Sequence, residues 1–205
     1  MPTKKVFTAD DSSCKSNPPL YDYTHIRGYH ACRPIDISLY YKNGIIAAHN
    51  DKRRQAAMKV FGKSLPEIIG AEDESFAKEK SQVYFTAFKE ELLKDSGHYL
   101  CYGSEYLISI SSHFDRNISG RYHNILLQTG IPTIFICDVP IKLISTYLVD
   151  DLIASYDPSN TNLGFWIEQN LAPEFIVAHE HPQKMFDPFL RMYRKNIKMD
   201  CPFCD

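Results

Sequence analysis

The distribution of apolar and polar positions along the chain predicts a set of short strands. Residues 131–139 have the sequence IPTIFICDV, an apolar run between a glycine and a proline, which predicts the strongest and most central strand. Residues 82–86 are rich in β-branched and aromatic side chains and predict a second strand, and residues 173–178 predict a third. Residues 20–33 alternate bulky and polar side chains, as a half-buried strand does.

Apolar positions that recur every three or four residues predict helices between these strands. The clearest helix covers residues 104–118, with Ser104 as its N-cap. Shorter helices are predicted at residues 34–44 and 144–154. Residues 51–80 are rich in charge and are interrupted by glycine and proline, which predicts a solvent-facing helical excursion.

The order of these elements favours an α+β fold in a single domain. Strands and helices alternate, but the strands are short and few spacings fit the strand–helix–strand units of a parallel sheet. A chain of 205 residues, 44% of them hydrophobic, is long enough to bury one core. We predict a flexible N-terminal arm at residues 1–19, the domain at residues 20–198 and a short CPFCD tail within residues 199–205.

Charge and cysteine usage narrow the location and the partners. The chain has 23 Lys and Arg against 25 Asp and Glu, so its formal charge of −2 predicts no general attraction to nucleic acid or to an anionic membrane. No apolar run has the length of a signal peptide or a membrane span, which predicts a cytoplasmic protein with no membrane partner. The six cysteines are therefore expected to be reduced and mostly buried.

Four short motifs follow one another in an order that resembles a known enzyme family. They are Tyr29-His30 in the first long strand, VYFT around Tyr84, IFICDVP in the central strand and EFIV beginning at Glu174. This layout is similar to that of NAD-dependent ADP-ribosyltransferases, and most closely to the diphtheria-toxin and poly(ADP-ribose) polymerase branch with its His-Tyr-Glu signature. The resemblance implies a split β-sheet with flanking helices and NAD as a substrate.

The resemblance also implies which residues near the first motif would bind NAD. The side chain of His30 would hold the adenosine ribose, and the backbone at Ala31 would hold the nicotinamide amide. Arg33 could reach a phosphate or the target, or it could form an ordinary surface ion pair.

The nicotinamide slot and the catalytic carboxylate are implied in the same way. Tyr84 and Tyr99 would form the aromatic walls, with Tyr102 and Tyr106 as alternatives to Tyr99. Glu174 would be the catalytic residue. Cleavage of the bond between nicotinamide and ribose passes through a cation-like sugar, so a carboxylate beside that ribose is the group the reaction needs most.

The implied function is that of a mono-ADP-ribosyltransferase acting on a macromolecule. Small cytosolic members of the family are often toxins of toxin–antitoxin or phage-defence systems, so the acceptor could be RNA, DNA or protein, and an antitoxin protein could be a partner. The alternative is a catalytically inactive binding module with the same fold. A nucleic-acid acceptor would require a local basic face. The candidates for that face are Arg27, Arg33, Lys52, Arg53 and Arg54.

Two further motifs contain residue types that bind metals. His179 and His181 would face the same side of a strand, which would suit a metal-dependent hydrolase with a third ligand such as Glu180. Cys201 and Cys204 have the spacing of half a zinc knuckle, and a tetrahedral site would need two more ligands. Because no second C-x-x-C motif occurs, no metal ligands are assigned, and a stray cysteine pair, a thiol pair or a zinc clasp between molecules all stay open for the tail.

Overall fold

A computed structural model describes residues 3–11, 13–78, 81–115, 120–196, 201, 203 and 204, with only the backbone of residues 77 and 78. The strands are β1 (Val6–Phe7), β2 (His25–Cys32), β3 (Val83–Thr86), β4 (Thr133–Pro140), β5 (Gly164–Ile167), β6 (Ile176–Glu180), β7 (Lys184–Asp187) and β8 (Met192–Lys195). The α-helices are α1 (Ser38–Asn43), α2 (Asn50–Phe61), α3 (Leu65–Ala71), α4 (Glu74–Lys78), α5 (Lys89–Leu93), α6 (His98–Tyr102), α7 (Glu105–Phe114), α8 (Arg121–Gln128) and α9 (Thr146–Ser155).

One six-stranded sheet organises the molecule. Its strands lie in the order β5-β3-β2-β4-β6, and β1 pairs with β2 beside this path. The β1–β2 pair is parallel and the other pairs are antiparallel, while β7 and β8 form a separate hairpin. The prediction of a single-domain α+β fold is confirmed, in the form of a mostly antiparallel sheet with flanking helices.

The sheet is buried on both faces. Successive side chains of a strand point to opposite faces, and in β4 Phe135 and Cys137 belong to one hydrophobic core while Ile134 belongs to the other. The first core also contains Leu148 and Leu152 of α9. The second contains apolar residues of α2, α3, α6, α7 and α8. Burial on both faces explains why the sequence of β4 is an almost continuous apolar run.

Most predicted elements are present with shifted ends. The predicted strands at 20–33 and 173–178 correspond to β2 and β6, each preceded by one turn of 3₁₀-helix. Helix α7 begins after Ser104, whose hydroxyl accepts the Leu107 N–H as predicted, and it ends at Phe114. The predicted end of this helix, at residues 116–118, lies outside the described residues. No helix in the described part of the chain is both long and apolar enough to cross a bilayer.

Two segments that the sequence predicts to be flexible or solvent-facing are packed against the rest of the protein. Val6–Phe7, within the predicted N-terminal arm, pairs with β2, and Phe7 packs edge-on against Tyr23 and Tyr156. A two-residue strand is too short to show a periodic pattern, so the sequence contains no signal for it. Helices α2 and α3, within the predicted solvent-facing excursion, bury Phe61 and Ile68 in the second core.

Two glycines with left-handed backbone provide a test of how closely the first core is packed. Gly44 has φ of +77°, and a Cβ atom there would lie 1.9 Å from the carbonyl oxygen of Leu171. Gly62 has φ of +64°, and no described atom lies within 4 Å of its Cβ position.

We expect Gly62→Ala to cost about 1 kcal/mol of unfolding free energy, because only backbone strain is added. Gly44→Ala should cost about 3 kcal/mol, because the backbone must also move. Urea titration of both variants measures the difference, and equal losses would contradict the close approach.

Candidate metal centre

Four side chains with metal-binding donor atoms meet where β6 lies against the C-terminal segment. They belong to His179, His181, Cys201 and Cys204, and their donor atoms all lie within 4.8 Å of one another. The two histidines come from one end of β6 and the two cysteines come from the tail. The two half-motifs of the sequence therefore form one cluster.

Strand pairing positions the two histidines. His179 lies opposite Phe135 in the β4–β6 ladder, and its ring packs against Phe135 and Tyr41. His181 follows β6 directly, and its Nδ1 lies 3.0 Å from the carbonyl oxygen of Pro132, just before β4. Residues two apart on a strand share a face, and the two imidazole rings are 5.1 Å apart. Both rings consequently project toward the same point.

A tight turn positions the two cysteines. The N–H of Cys204 donates to the carbonyl of Cys201 at 3.1 Å, which places both thiols on one side of the turn. The Cys201 thiol lies 3.4 Å from His179 Nε2, and the Cys204 thiol lies 3.2 Å from the same nitrogen. Cys201 is buried in the first core, whereas Cys204 is exposed.

The hydrogen bonds of His181 leave one nitrogen aimed at the cluster. A carbonyl oxygen can only accept, so the bond to Pro132 places the ring hydrogen on Nδ1 and a lone pair on Nε2. His181 Nε2 is buried and has no hydrogen-bond partner among the described atoms. A buried polar atom without a partner is costly, and a metal ion bound at Nε2 would remove that cost.

Tyr41 supports the other imidazole from behind. Its hydroxyl lies 2.7 Å from His179 Nδ1, so Nε2 of that ring is the nitrogen that faces the thiols. Burial and the neighbouring Cys201 and Cys204 thiols raise the pKa of Tyr41 above its usual value, so this hydroxyl stays protonated at neutral pH. Burial and the nearby His181 lower the pKa of His179, which favours the neutral ring that metals bind.

Two of the separations between donor atoms fit a tetrahedral ion. Zinc binds sulfur at about 2.3 Å and nitrogen at about 2.0–2.1 Å, so two such ligands of one tetrahedral ion lie about 3.6 Å apart. The two observed separations between nitrogen and sulfur, 3.4 and 3.2 Å, are close to this value. Two thiolates and two imidazoles form the Cys₂His₂ set that is typical of structural zinc sites.

This cluster brings together the two half-motifs to which the sequence alone assigns no metal ligands. The sequence offers each pair of ligands separately, with His181 and Cys201 twenty positions apart and no repeated C-x-x-C motif. The pairing of β4 with β6 and the return of the tail bring the pairs together, and both are long-range features. The predicted third ligand, Glu180, points elsewhere, since its carboxylate accepts a hydrogen bond from Lys89 at 3.3 Å.

Three of the residues predicted to bind NAD lie near one another but on different faces of the sheet. His30 Nδ1 lies 2.9 Å from the carbonyl oxygen of Tyr84, and its ring packs 5.9 Å from that of Phe85. Phe85 is buried in the first core and Tyr84 is 45% exposed, so their side chains point to opposite faces of β3. His30 therefore shares a face with Phe85, whereas Tyr84 shares a face with Tyr99, which packs against the second core.

The side chains of the remaining residues that the resemblance implies for NAD do not gather around His30. Ala31 is buried in the second core. Glu174 is exposed in the 3₁₀ turn before β6, and β4 separates β6 from β2, the strand of His30. Two strand spacings amount to about 10 Å, so Glu174 and His30 do not meet side by side. The Tyr99 hydroxyl donates to Glu105 at 2.8 Å.

The side chain of Arg33 forms hydrogen bonds with the backbone inside the fold. Its guanidinium donates to the carbonyl oxygens of Leu100, Leu127, Thr129 and Gly130 at 2.6 to 3.2 Å. Burial lowers its pKa to about 10, so it remains a cation at neutral pH. These carbonyls are its hydrogen-bond partners in the described part of the structure.

Two other residues of the predicted basic face form ion pairs with carboxylates of the same fold. Arg27 donates to Asp138 at 2.6 Å, and Arg54 donates to Glu72 at 2.6 Å. Each of these carboxylate side chains is only 5% exposed. The charges of Arg27 and Arg54 are therefore largely neutralised within the fold.

Fold and site together define a class, that of an α+β protein with a candidate Cys₂His₂ metal centre. Comparison with protein-family models, with curated proteins and with solved structures finds no match for this chain. The function is consequently argued from the geometry of the site.

The role of Arg33 can be tested by its effect on stability. Arg33→Met should lower the free energy of unfolding by about 3 kcal/mol, because four backbone carbonyls lose their donor. Lys52→Met, at an exposed position of α2, is the control and should change stability by less than about 0.5 kcal/mol. Chemical denaturation measures both. An unchanged stability in Arg33→Met would show that these bonds contribute nothing to folding and would contradict the structural role of Arg33.

Proposed function

We propose that this protein binds one zinc ion and uses it to fasten its C-terminal segment to the edge strand β6. The observation that carries the proposal is the convergence of four donor atoms within 4.8 Å, in a cluster where the buried Nε2 of His181 has no hydrogen-bond partner among the described atoms. Cobalt, iron and copper also bind such ligands, but a tetrahedral site of two thiolates and two imidazoles suits zinc best.

The ligand count supports a structural role for the ion. Catalytic zinc sites have three protein ligands and keep one position for water or substrate, whereas four protein ligands fill a tetrahedral ion. His179, His181, Cys201 and Cys204 supply four. The hydrolase considered for His179 and His181 would require one cysteine to leave the ion, so the fastening role is the one that the geometry favours.

The second shell fits the same role. Metal-bound imidazoles usually donate their other ring hydrogen to an oxygen atom, which fixes their orientation. Tyr41 and Pro132 supply these oxygens for His179 and His181. The ring of Phe203, between the two cysteines, lies 5.7 Å from the ring of Tyr41. The ion would therefore complete a contact between the tail and α1 that already has an apolar part.

The metal content of the protein tests this proposal. Protein purified without a histidine tag is expected to contain one zinc per chain, measured by elemental analysis. Cobalt exchanged into the site should give the visible absorption bands of a tetrahedral ion together with sulfur-to-metal charge transfer. Cys204→Ser and His181→Ala should each lower metal affinity by at least about 100-fold, because each removes a ligand.

Cys14→Ser is the matched control for the cysteine variant. Cys14 is a partly buried cysteine whose thiol lies 3.2 Å from the carbonyl oxygen of Ser16. This variant should retain one zinc and the cobalt spectrum. Wild-type protein without stoichiometric metal after zinc supplementation, or Cys204→Ser protein with undiminished affinity, would refute the centre.

A second candidate function is transfer of ADP-ribose from NAD, on an ADP-ribosyltransferase-like fold. One observation favours it: Tyr84 and Tyr99, the two implied walls of the nicotinamide slot, lie on the same face of the sheet. In this proposal NAD is the substrate, Glu174 the catalytic carboxylate and a nucleic acid or protein the acceptor. Glu174 and His30 do not lie side by side in the structure. This activity would therefore require that the bound NAD span the distance between them or that the turn before β6 move toward His30.

Release of nicotinamide tests this second function. Purified protein incubated with NAD and with RNA, DNA or protein extract should release nicotinamide in the presence of one acceptor class. Glu174→Gln should lower the rate by about 100-fold or more, because it removes the carboxylate that stabilises the sugar cation. Glu74→Gln, on α4, is the control and should leave the rate unchanged. Folded protein that releases no nicotinamide with any acceptor would refute the activity and favour a binding module.

A further inference from the structure

A second cluster of reactive side chains lies between α7 and α8, away from the metal ligands. Ser112 is in the last turn of α7, Asp115 directly follows that helix, and His123 is in the first turn of α8. The Ser112 hydroxyl oxygen lies 3.3 Å from His123 Nε2, and His123 Nδ1 lies 3.0 Å from an Asp115 carboxylate oxygen. We propose that these residues form a Ser–His–Asp nucleophile system that accepts an acyl group from an ester.

The hydrogen bonds orient the imidazole for this role. An ionised carboxylate can only accept, so His123 carries its hydrogen on Nδ1 and directs the Nε2 lone pair toward Ser112. This is the tautomer that a general base needs to take a proton from a serine hydroxyl. The 3.3 Å separation is slightly long, as such contacts are in enzymes without a bound substrate.

The histidine and the aspartate are buried, whereas the serine is exposed, and this difference suits the proposed chemistry. His123 is 1% exposed, and the Asp115 side chain is 6% exposed. Ser112 is exposed. A buried carboxylate and imidazole form a strong, fixed interaction, while an exposed hydroxyl can be reached by a substrate. The ring of Tyr102 packs edge-on against His123, with ring centres 6.0 Å apart, and helps to hold it in place.

Helix capping explains part of this arrangement but not all of it. The same Asp115 oxygen also accepts the backbone N–H of His123 at 2.8 Å, so the carboxylate caps the first turn of α8. Capping needs no imidazole between the carboxylate and a hydroxyl. The backbone bond holds Asp115 in place, so that its orientation toward Nδ1 does not depend on the state of the imidazole.

At rest the Ser112 hydroxyl has a competing partner. Its oxygen lies 2.9 Å from the carbonyl oxygen of Ile108, one turn earlier in α7. Rotation about the bond from Cβ to oxygen transfers the hydroxyl hydrogen from this carbonyl to His123 Nε2. The reaction therefore begins with a small rotation that exchanges one hydrogen bond for another.

The proposed reaction is a transfer of the acyl group with no cofactor. The Ser112 oxygen attacks the ester carbonyl carbon while its proton passes to His123 Nε2. The ester bond then breaks, the alcohol leaves with the proton from Nε2, and an acyl-serine is formed. Water deprotonated by the same nitrogen hydrolyses this intermediate to the carboxylic acid and restores the serine. Asp115 stays ionised throughout and acts as a positioning residue.

A fluorophosphonate probe and p-nitrophenyl acetate test the proposal with the full chain. The probe should label the wild-type protein at Ser112, identified by peptide mass spectrometry, and p-nitrophenol should be released in parallel. Ser112→Ala should abolish the labelling. Alanine favours helix, so this variant is expected to fold.

Ser111→Ala is the matched control, because Ser111 is the adjacent serine of the same helix. Its hydroxyl donates to the same Ile108 carbonyl, at 2.8 Å, and it is fully buried. Labelling at Ser112 should be unchanged in this variant. Absence of probe at Ser112 in the wild type, or equal ester cleavage in Ser112→Ala and wild type, would overturn the proposal.

Asp115→Asn separates positioning from helix capping. Its amide oxygen can still accept the His123 backbone N–H, so the capping bond and the thermal midpoint should be retained. The imidazole loses the charge that selects its tautomer, so kcat for p-nitrophenyl acetate should fall by 100-fold or more, with KM unchanged. A purely structural role predicts the reverse, an altered midpoint with unchanged kcat, and that result would overturn the assignment of Asp115.

Discussion

The antiparallel ladder between β2 and β4 is the constraint on which the rest of the structure depends. It runs through eight consecutive pairs, from His25 with Pro140 to Cys32 with Thr133. Because side chains alternate between the faces, this register decides which residues enter each of the two cores. A slip of one residue would exchange the faces of a whole strand. Since β6 pairs with the other side of β4, the same register also determines where His179 stands relative to Phe135.

Elements with strong local signals could be predicted from the sequence, whereas the candidate metal centre could not. The apolar run of β4 and the capping serine of α7 are encoded within a few residues, and both elements are present. The candidate metal centre combines two incomplete motifs, and each alone has an ordinary structural explanation. What joins them is the pairing of β6 and the course of the tail, which no local pattern contains. The triad of Ser112, Asp115 and His123 escapes prediction for the same reason, since it depends on how two helices face each other.

The motifs that resemble an ADP-ribosyltransferase illustrate a different limit. The strands of His30 and Tyr84 lie side by side in the sheet. Which face a side chain occupies depends on register to a single residue, and here the two side chains face apart. Glu174 lies just before β6, and β4 separates β6 from the strand of His30. The short motif that begins β6 does not determine which strand β6 pairs with.

Arg33 links two helices through their electrostatics. Leu100 belongs to the last turn of α6 and Leu127 to the last turn of α8, and the guanidinium bonds to both carbonyl oxygens. A helix carries partial negative charge at its C-terminal end, so one cation at the end of β2 neutralises two helix dipoles at once. Neither helix can tilt away from the sheet without exposing that negative end to a low-dielectric interior. We therefore expect α6, α8 and the adjoining end of β2 to open together, as one unit, in local unfolding.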